Sequence, residues 1–119
     1  MKIIRNEEVK KEPRDLGRVV QKMLNHKFSS PKDSLVIFYS HVPKGKVDFH
    51  YHNNSEEIII FPQGGKMEIN KVVYSFEPWD ILLIEPRDIH GFDGEDKDVL
   101  HIALRLPDNS DKISIKKEK

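Results

Sequence analysis

The chain has 119 residues, with 20 basic and 20 acidic side chains, a formal net charge of zero and no cysteine. That length fits one domain, 1–119; the charge balance gives no reason to expect nucleic-acid or anionic-membrane binding, and disulfides, thiolate catalysis and cysteine-ligated metal sites are excluded. The opening MKIIRNEEVKKE lacks a secretion signal's apolar run and no stretch nears the roughly 18 apolar residues of a spanning helix, so a cytoplasmic location is expected.

Lys2–Arg5 reads as a short edge strand. Asp15, after Pro13 and Arg14, is placed to cap a helix, and Leu16, Val19, Val20, Met23 and Leu24 then follow at i, i+3, i+4, i+7 and i+8. That stripe predicts one short helix ending near His26, packed on a sheet, with His26 favourable at its C-terminus.

From residue 34 onward the period is two. Leu35–Val42, Lys46–His52, Glu57–Phe61, Lys66–Ile69, Val72–Phe76, Asp80–Glu85, Ile89–Phe92 and Val99–Leu106 read as strands, separated by short breakers such as Pro43-Lys-Gly45, Asn70-Lys71 and Asp93-Gly94. Strands this numerous and closely spaced indicate an all-β sandwich or barrel. The tail is expected to add a strand at Ile113–Ile115 before a solvated basic end.

The chemistry gathers around the histidines. His50 and His52 are two apart on one strand and leave the same face of the sheet. A turn over 53–56 then brings Glu57 back beside them, and His90 arrives on a later strand. Such a pair of histidines is weak alone. Three imidazoles and a carboxylate converging in a barrel form a borderline nitrogen–oxygen set suited to Fe, Mn, Co, Ni, Cu or Zn.

His50-Tyr-His52, four residues, Glu57, six residues and Gly64 resemble the first motif of the cupin superfamily. Pro86-Arg-Asp-Ile-His90 resembles the core of its second. The resemblance covers about 35–106 and implies a double-stranded β-helix (jelly-roll) barrel, commonly a homodimer. It also implies a divalent metal on His50, His52, Glu57 and His90. Four residues rather than five separate Gly45 from His50, Trp79 and Arg87 stand where the second motif has glycines, Glu85 replaces a proline, and Gly94 replaces the closing Asn. The run FHYHNNSEEIII is also similar to the sugar-sensing cupin domain of AraC-type regulators. Twelve residues follow Pro107, so no helix-turn-helix region is expected.

Other side chains have plainer expectations. Glu56 reads as a solvated turn charge, since a one-residue slip turns it to the other face from Glu57. Phe92 shares the parity of His90 and points into the barrel. Leu35, Ile37, Tyr39 and His41 are expected to face the interior, as are Leu100, Ile102, Leu104 and Leu106, with His101 and Arg105 outward. Phe49, Tyr51, Ile58 and Ile60 form an apolar outer face that a homodimer would bury. Trp79 is expected to pack in the barrel. The 34% of charged residues, against about 25% in an average domain, and only two glutamines lean towards a heat-adapted protein.

Two functions fit. One is a metal-dependent enzyme for a small molecule, of dioxygenase or isomerase type. The other is a non-catalytic sugar or metabolite binder. A third arrangement, a metal-free histidine base, needs a carboxylate behind that histidine.

Overall fold

The computed structural model describes residues 1–28, 32–107 and 111–115. The expected basic end at 116–119 lies outside them. The chain runs Lys2–Ile4 (β1), Lys11–Pro13 (β2), Val19–Gln21 (β3), Val36–Val42 (β4), Val47–His52 (β5) and Glu56–Phe61 (β6). Gly65–Ile69 (β7), Val72–Phe76 (β8), Asp80–Ile84 (β9), His90–Asp93 (β10), Val99–Leu106 (β11) and Lys112–Ile115 (β12) complete it. One five-stranded sheet has the order β1-β9-β6-β11-β4 and the other β12-β5-β10-β7-β8, while β2 and β3 form a separate pair. Every pairing is antiparallel.

The expected helix from Asp15 to His26 is absent. Asp15–Gly17 makes a single 3-10 turn, Leu16 takes a left-handed φ of 64°, and Val19–Gln21 pairs with Lys11–Pro13. Gly17 and the β-branched Val19-Val20 oppose a helix, and a stripe this short cannot nucleate one without a packing surface. Leu16 and Val19 are consequently 98% and 64% exposed. Among the described residues no helix is long and apolar enough to cross a membrane.

The core lies between the two large sheets. Ile59, Phe61, Leu82, Ile84, Val99 and Ala103 from one sheet meet Met67, Ile69, Phe76 and Phe92 from the other. Phe61 stacks on Phe76 with centroids 4.2 Å apart and planes 10° from parallel. Burying each such ring contributes about 2–3 kcal/mol. The Asn70-Lys71 turn closes β7 onto β8 with φ of 49° and 71°, the left-handed pair that a tight two-residue hairpin requires.

Two connections differ from the hairpins expected around the histidines. Residues 53–55 carry the chain from β5 in one sheet to β6 in the other, and 85–89 carry it back from β9 to β10. The histidines and Glu57 therefore sit on opposite walls. They meet because the sheets face each other.

Candidate metal centre

Alternation along β5 turns His50 and His52 to the inside. On the neighbouring strand His90 pairs directly with His50, and their ring centroids are 4.3 Å apart. The His52 ring lies 5.2 Å from that of His50 and 5.8 Å from that of His90. Glu57, second residue of β6, reaches across from the other sheet. One ligand atom from each of His50, His52, Glu57 and His90 lies within 4.8 Å of all the others. His52 and His90 are each 1% exposed and Glu57 7%.

Two of the imidazoles are held from behind. His90 Nδ1 lies 2.9 Å from the carbonyl oxygen of Asp88, which can only accept, so Nδ1 carries the hydrogen and Nε2 keeps its lone pair. His52 Nδ1 lies 3.1 Å from Asp111 Oδ1. Asp111 also accepts from the backbone N–H groups of Asn54 and Ser55 and from the Ser55 hydroxyl. Burial works against its ionised form, but these bonds outweigh it and lower the carboxyl to about 2. A carboxylate accepts only, so Nδ1 donates and His52 Nε2 is left facing Glu57 Oε1. Carboxylates and carbonyls placed in this way behind imidazoles orient metal-binding histidines.

The protonation states suit a cation. Burial lowers His50 to about 4, aided by the nearby His90 and Lys112. Burial likewise lowers His90. For Glu57 burial favours the neutral acid, yet contact with His52 and the field of the histidines prevail and hold it low. At neutral pH His50 and His90 are uncharged and Glu57 is ionised. The Nε2 atom of His90 is buried with no hydrogen-bond partner, while that of His52 meets only Glu57. An inward-facing acceptor left unpaired calls for a bound group, and a divalent ion fits this donor set.

A cavity of about 280 Å³ adjoins the cluster. Phe38, Met67 and Phe92 give it apolar walls, and His101, Arg105 and Lys112 give it polar ones. Phe92 thus points inward as expected. His101 and Arg105 do not point outward. They share the inner face of β11 with Val99 and Ala103, while Leu100, Ile102 and Leu104 are half-buried on the outer face. The outer face of β11 carries more apolar residues, and counting them selects the wrong face because the interior here is a partly polar pocket.

The neighbouring β4 follows the same parity. Ile37 is 61% exposed, and Leu35 and His41 are also exposed, whereas Phe38, Ser40 and Val42 line the cavity and Tyr39, 73% exposed, borders it. His41 Nε2 instead lies 2.9 Å from Asp98. Glu56 is not a solvated charge but is 1% exposed, with His26 Nε2 at 2.9 Å and Lys32 Nζ at 3.8 Å. Its side chain ties down the segment that was expected to be helical, which is the role His26 has in place of a helix end. On the outer face Phe49 is already buried, and Tyr51, Ile58 and Ile60 are half-buried.

The departures at the two glycine positions keep glycine's backbone. Trp79 has φ 69° and Arg87 φ 71°, and their N–H groups donate to the carbonyls of Phe61 and His52 respectively. Those turns drive Trp79 outward to 55% exposure rather than into the barrel. Asp111 was not anticipated at all. The predicted strand at Ile113–Ile115 was its one signal, since extending that strand towards its start brings Lys112 opposite His52.

No protein-family model matches the sequence, and no curated protein matches it. Solved structures do. A Klebsiella pneumoniae protein with a double-stranded β-helix domain superposes with a TM-score of 0.61 at 16% identity, covering 73% of this chain and 80% of its own. A cupin protein from Bacteroides fragilis gives 0.50 at 19%, covering 79% and 90%. The fold is that of the cupins. A dTDP sugar isomerase from Desulfovibrio desulfuricans shares the cupin barrel with a TM-score of 0.60 at 16% identity, over 97% of this chain and 83% of the isomerase. The comparisons lend no support to the likeness to AraC-type sensing domains.

Proposed function

We propose that this cupin holds one divalent transition metal on His50, His52, Glu57 and His90 and acts on a small molecule bound in the adjoining cavity. The observation that carries the reading is the convergence of ligand atoms from His50, His52, Glu57 and His90 in one small volume, where the Nε2 of His90 is buried without a partner. Bound there, such an ion supplies Lewis acidity and open coordination positions for a substrate oxygen or, if iron or manganese, for O₂. The chain's own residues do the rest. Asp111 and the Asp88 carbonyl fix the tautomers of His52 and His90, Glu57 offsets part of the ion's charge, and the walls around Met67 and Phe92 keep bulk water from a bound substrate. An isomerase or dioxygenase reaction fits this site. The isomerase among the fold neighbours supports the first by analogy of fold only.

Asp111 also favours a second reading. A carboxylate behind His52 is the support that a metal-free histidine base needs. Against it, His52 Nε2 faces Glu57 and not the open cavity.

Elemental analysis of protein purified without a histidine tag, under air and anaerobically, separates the two. Near-stoichiometric metal, lost in His52→Ala with the fold intact, is the expected result. A folded wild-type protein that takes up no Fe, Mn or Zn at neutral pH overturns the metal reading and leaves the histidine base.

A further inference from the structure

The substrate class of the proposed metal site can be read from the cavity wall, and the inference rests on that metal reading. Two cations line the cavity, and they differ in what they face. Lys112 Nζ lies 3.8 Å from Asp48 Oδ2, so its charge is already opposed. The Arg105 guanidinium has no carboxylate within ion-pairing distance among the described residues. It lies over the Phe38 ring, 4.9 Å from the centroid, and its Nε is buried with no hydrogen-bond partner. A buried guanidinium N–H without an acceptor is costly, and an occupant that supplies one removes the cost.

Register places this group beside the metal cluster. Arg105 pairs directly with Glu57 across the β11–β6 ladder, and both side chains line the cavity. Opposed residues in such a ladder have Cβ atoms only about 4.5–5.5 Å apart. A ligand held by the guanidinium therefore lies within a short reach of the cluster. Farther along the same face, His101 Nδ1 is also buried without a partner, a second polar point on the wall.

Charge and size narrow the occupant. Asp48 and Glu57 balance Arg105 and Lys112 among the lining residues, so a divalent ion leaves a surplus of positive charge facing the cavity. The cavity of about 280 Å³ has room for a small acid. Phe38, Met67, Phe92 and Ala103 suit a partly apolar body.

We propose that Arg105 is the anion-recognition residue of this pocket and that the ligand is a small organic acid, its carboxylate on the Arg105 guanidinium and another polar group towards the His50–His52–Glu57–His90 cluster. The planar guanidinium matches a carboxylate with two parallel N–H donors, which a lysine cannot do.

The test is calorimetric titration of acid–amide pairs (lactate and lactamide, mandelate and mandelamide) into zinc-loaded protein, with zinc stoichiometry measured in parallel. Zinc is redox-inert, so binding is read without turnover. At least one acid should bind about tenfold or more tightly than its amide, and Arg105→Met should remove that preference while zinc uptake stays unchanged. If Arg105→Met does not fold, Arg105→Lys keeps the charge and the stem over Phe38 and should weaken the preference severalfold. Zinc bound with no acid preferred over its amide overturns this proposal alone, as does a preference that survives at position 105. Inorganic phosphate binding more tightly than every acid, through Arg105, overturns the carboxylate assignment. Failure of the wild type to take up zinc overturns the metal reading beneath it.

Discussion

Asp111 sits behind His52, with Oδ1 3.1 Å from Nδ1, although 59 positions separate them in the chain. The same carboxylate accepts from the Asn54 and Ser55 backbone, so it joins the start of β12 to the connection that carries the chain from His52 to Glu57. Asp111→Asn should weaken metal affinity by about 10- to 100-fold, because the neutral amide does not raise the basicity of His52 and offers one acceptor oxygen where both carboxylate oxygens are used. Competition against a chelator measures this. Unchanged affinity in a folded Asp111→Asn protein would show that His52 needs no such support.

Adjacent glutamates should separate cleanly. Glu57→Gln is expected to fold and lose metal, since it removes the one charged ligand. Glu56→Ala is expected to keep the metal cluster but lose about 3 kcal/mol or more, because it removes a buried carboxylate that His26 contacts at 2.9 Å. Metal content and denaturant melts on both variants decide it. The reverse pattern would move the ligand to Glu56.

The metal-free protein should be acid-sensitive at unusually mild pH. His50 has its pKa lowered in the fold from 6.5 to about 4, so the unfolded chain binds the extra proton between those values. Stability is full above pH 6.5 and falls as pH drops towards 4, by on the order of 2–3 kcal/mol from His50 alone. Burial lowers His90 and His101 in the same sense. The lowered Glu57 and Asp111 add losses at still lower pH. Urea titrations of chelator-treated protein across pH 7 to 4 test this, and a flat profile there would contradict it.

Gly91 permits the histidine pair to form. A Cβ there would meet the Asp48 carbonyl oxygen at 1.6 Å, so β5 and β10 could not stay in the register that opposes His50 to His90. Gly91→Ala should cost on the order of 3 kcal/mol or more and reduce metal uptake together with stability. Native-like melting of that variant would be inconsistent with the close approach of the two strands.

Arg87→Gly should stabilise the chain. Arg87 is exposed and holds φ 71° to keep its N–H on the His52 carbonyl. Left-handed backbone costs a non-glycine residue about 1–2 kcal/mol, and glycine returns part of that through the unfolded chain's greater freedom. A net gain of up to about 1 kcal/mol, a rise of a few degrees in Tm, is expected. A fall in Tm would mean that the Arg87 side chain contributes to the native state.

Much of the site is legible along the chain because its rules are local. Alternation in Val47–His52 already turns His50 and His52 to one face, one residue of slip separates Glu57 from Glu56, and Pro86 to His90 has motif spacing. The Leu16–Leu24 stripe misled for a related reason. Its 3.6 period is also local, but no surface is there for a helix to pack on, and Gly17 with Val19-Val20 favours a turn and a strand.

The sequence by itself determined the strands from residue 35 onward, the cupin-like order and the four clustered residues, because side-chain alternation and turn chemistry are settled within a few residues. Only the tertiary structure decided which face of β11 is the interior, and so that Arg105 and His101 belong to the cavity. It alone placed Asp111 behind His52 and Glu57 on the wall opposite the histidines. Those outcomes depend on which sheet each strand joins, and that choice is made by contacts between residues far apart in the chain.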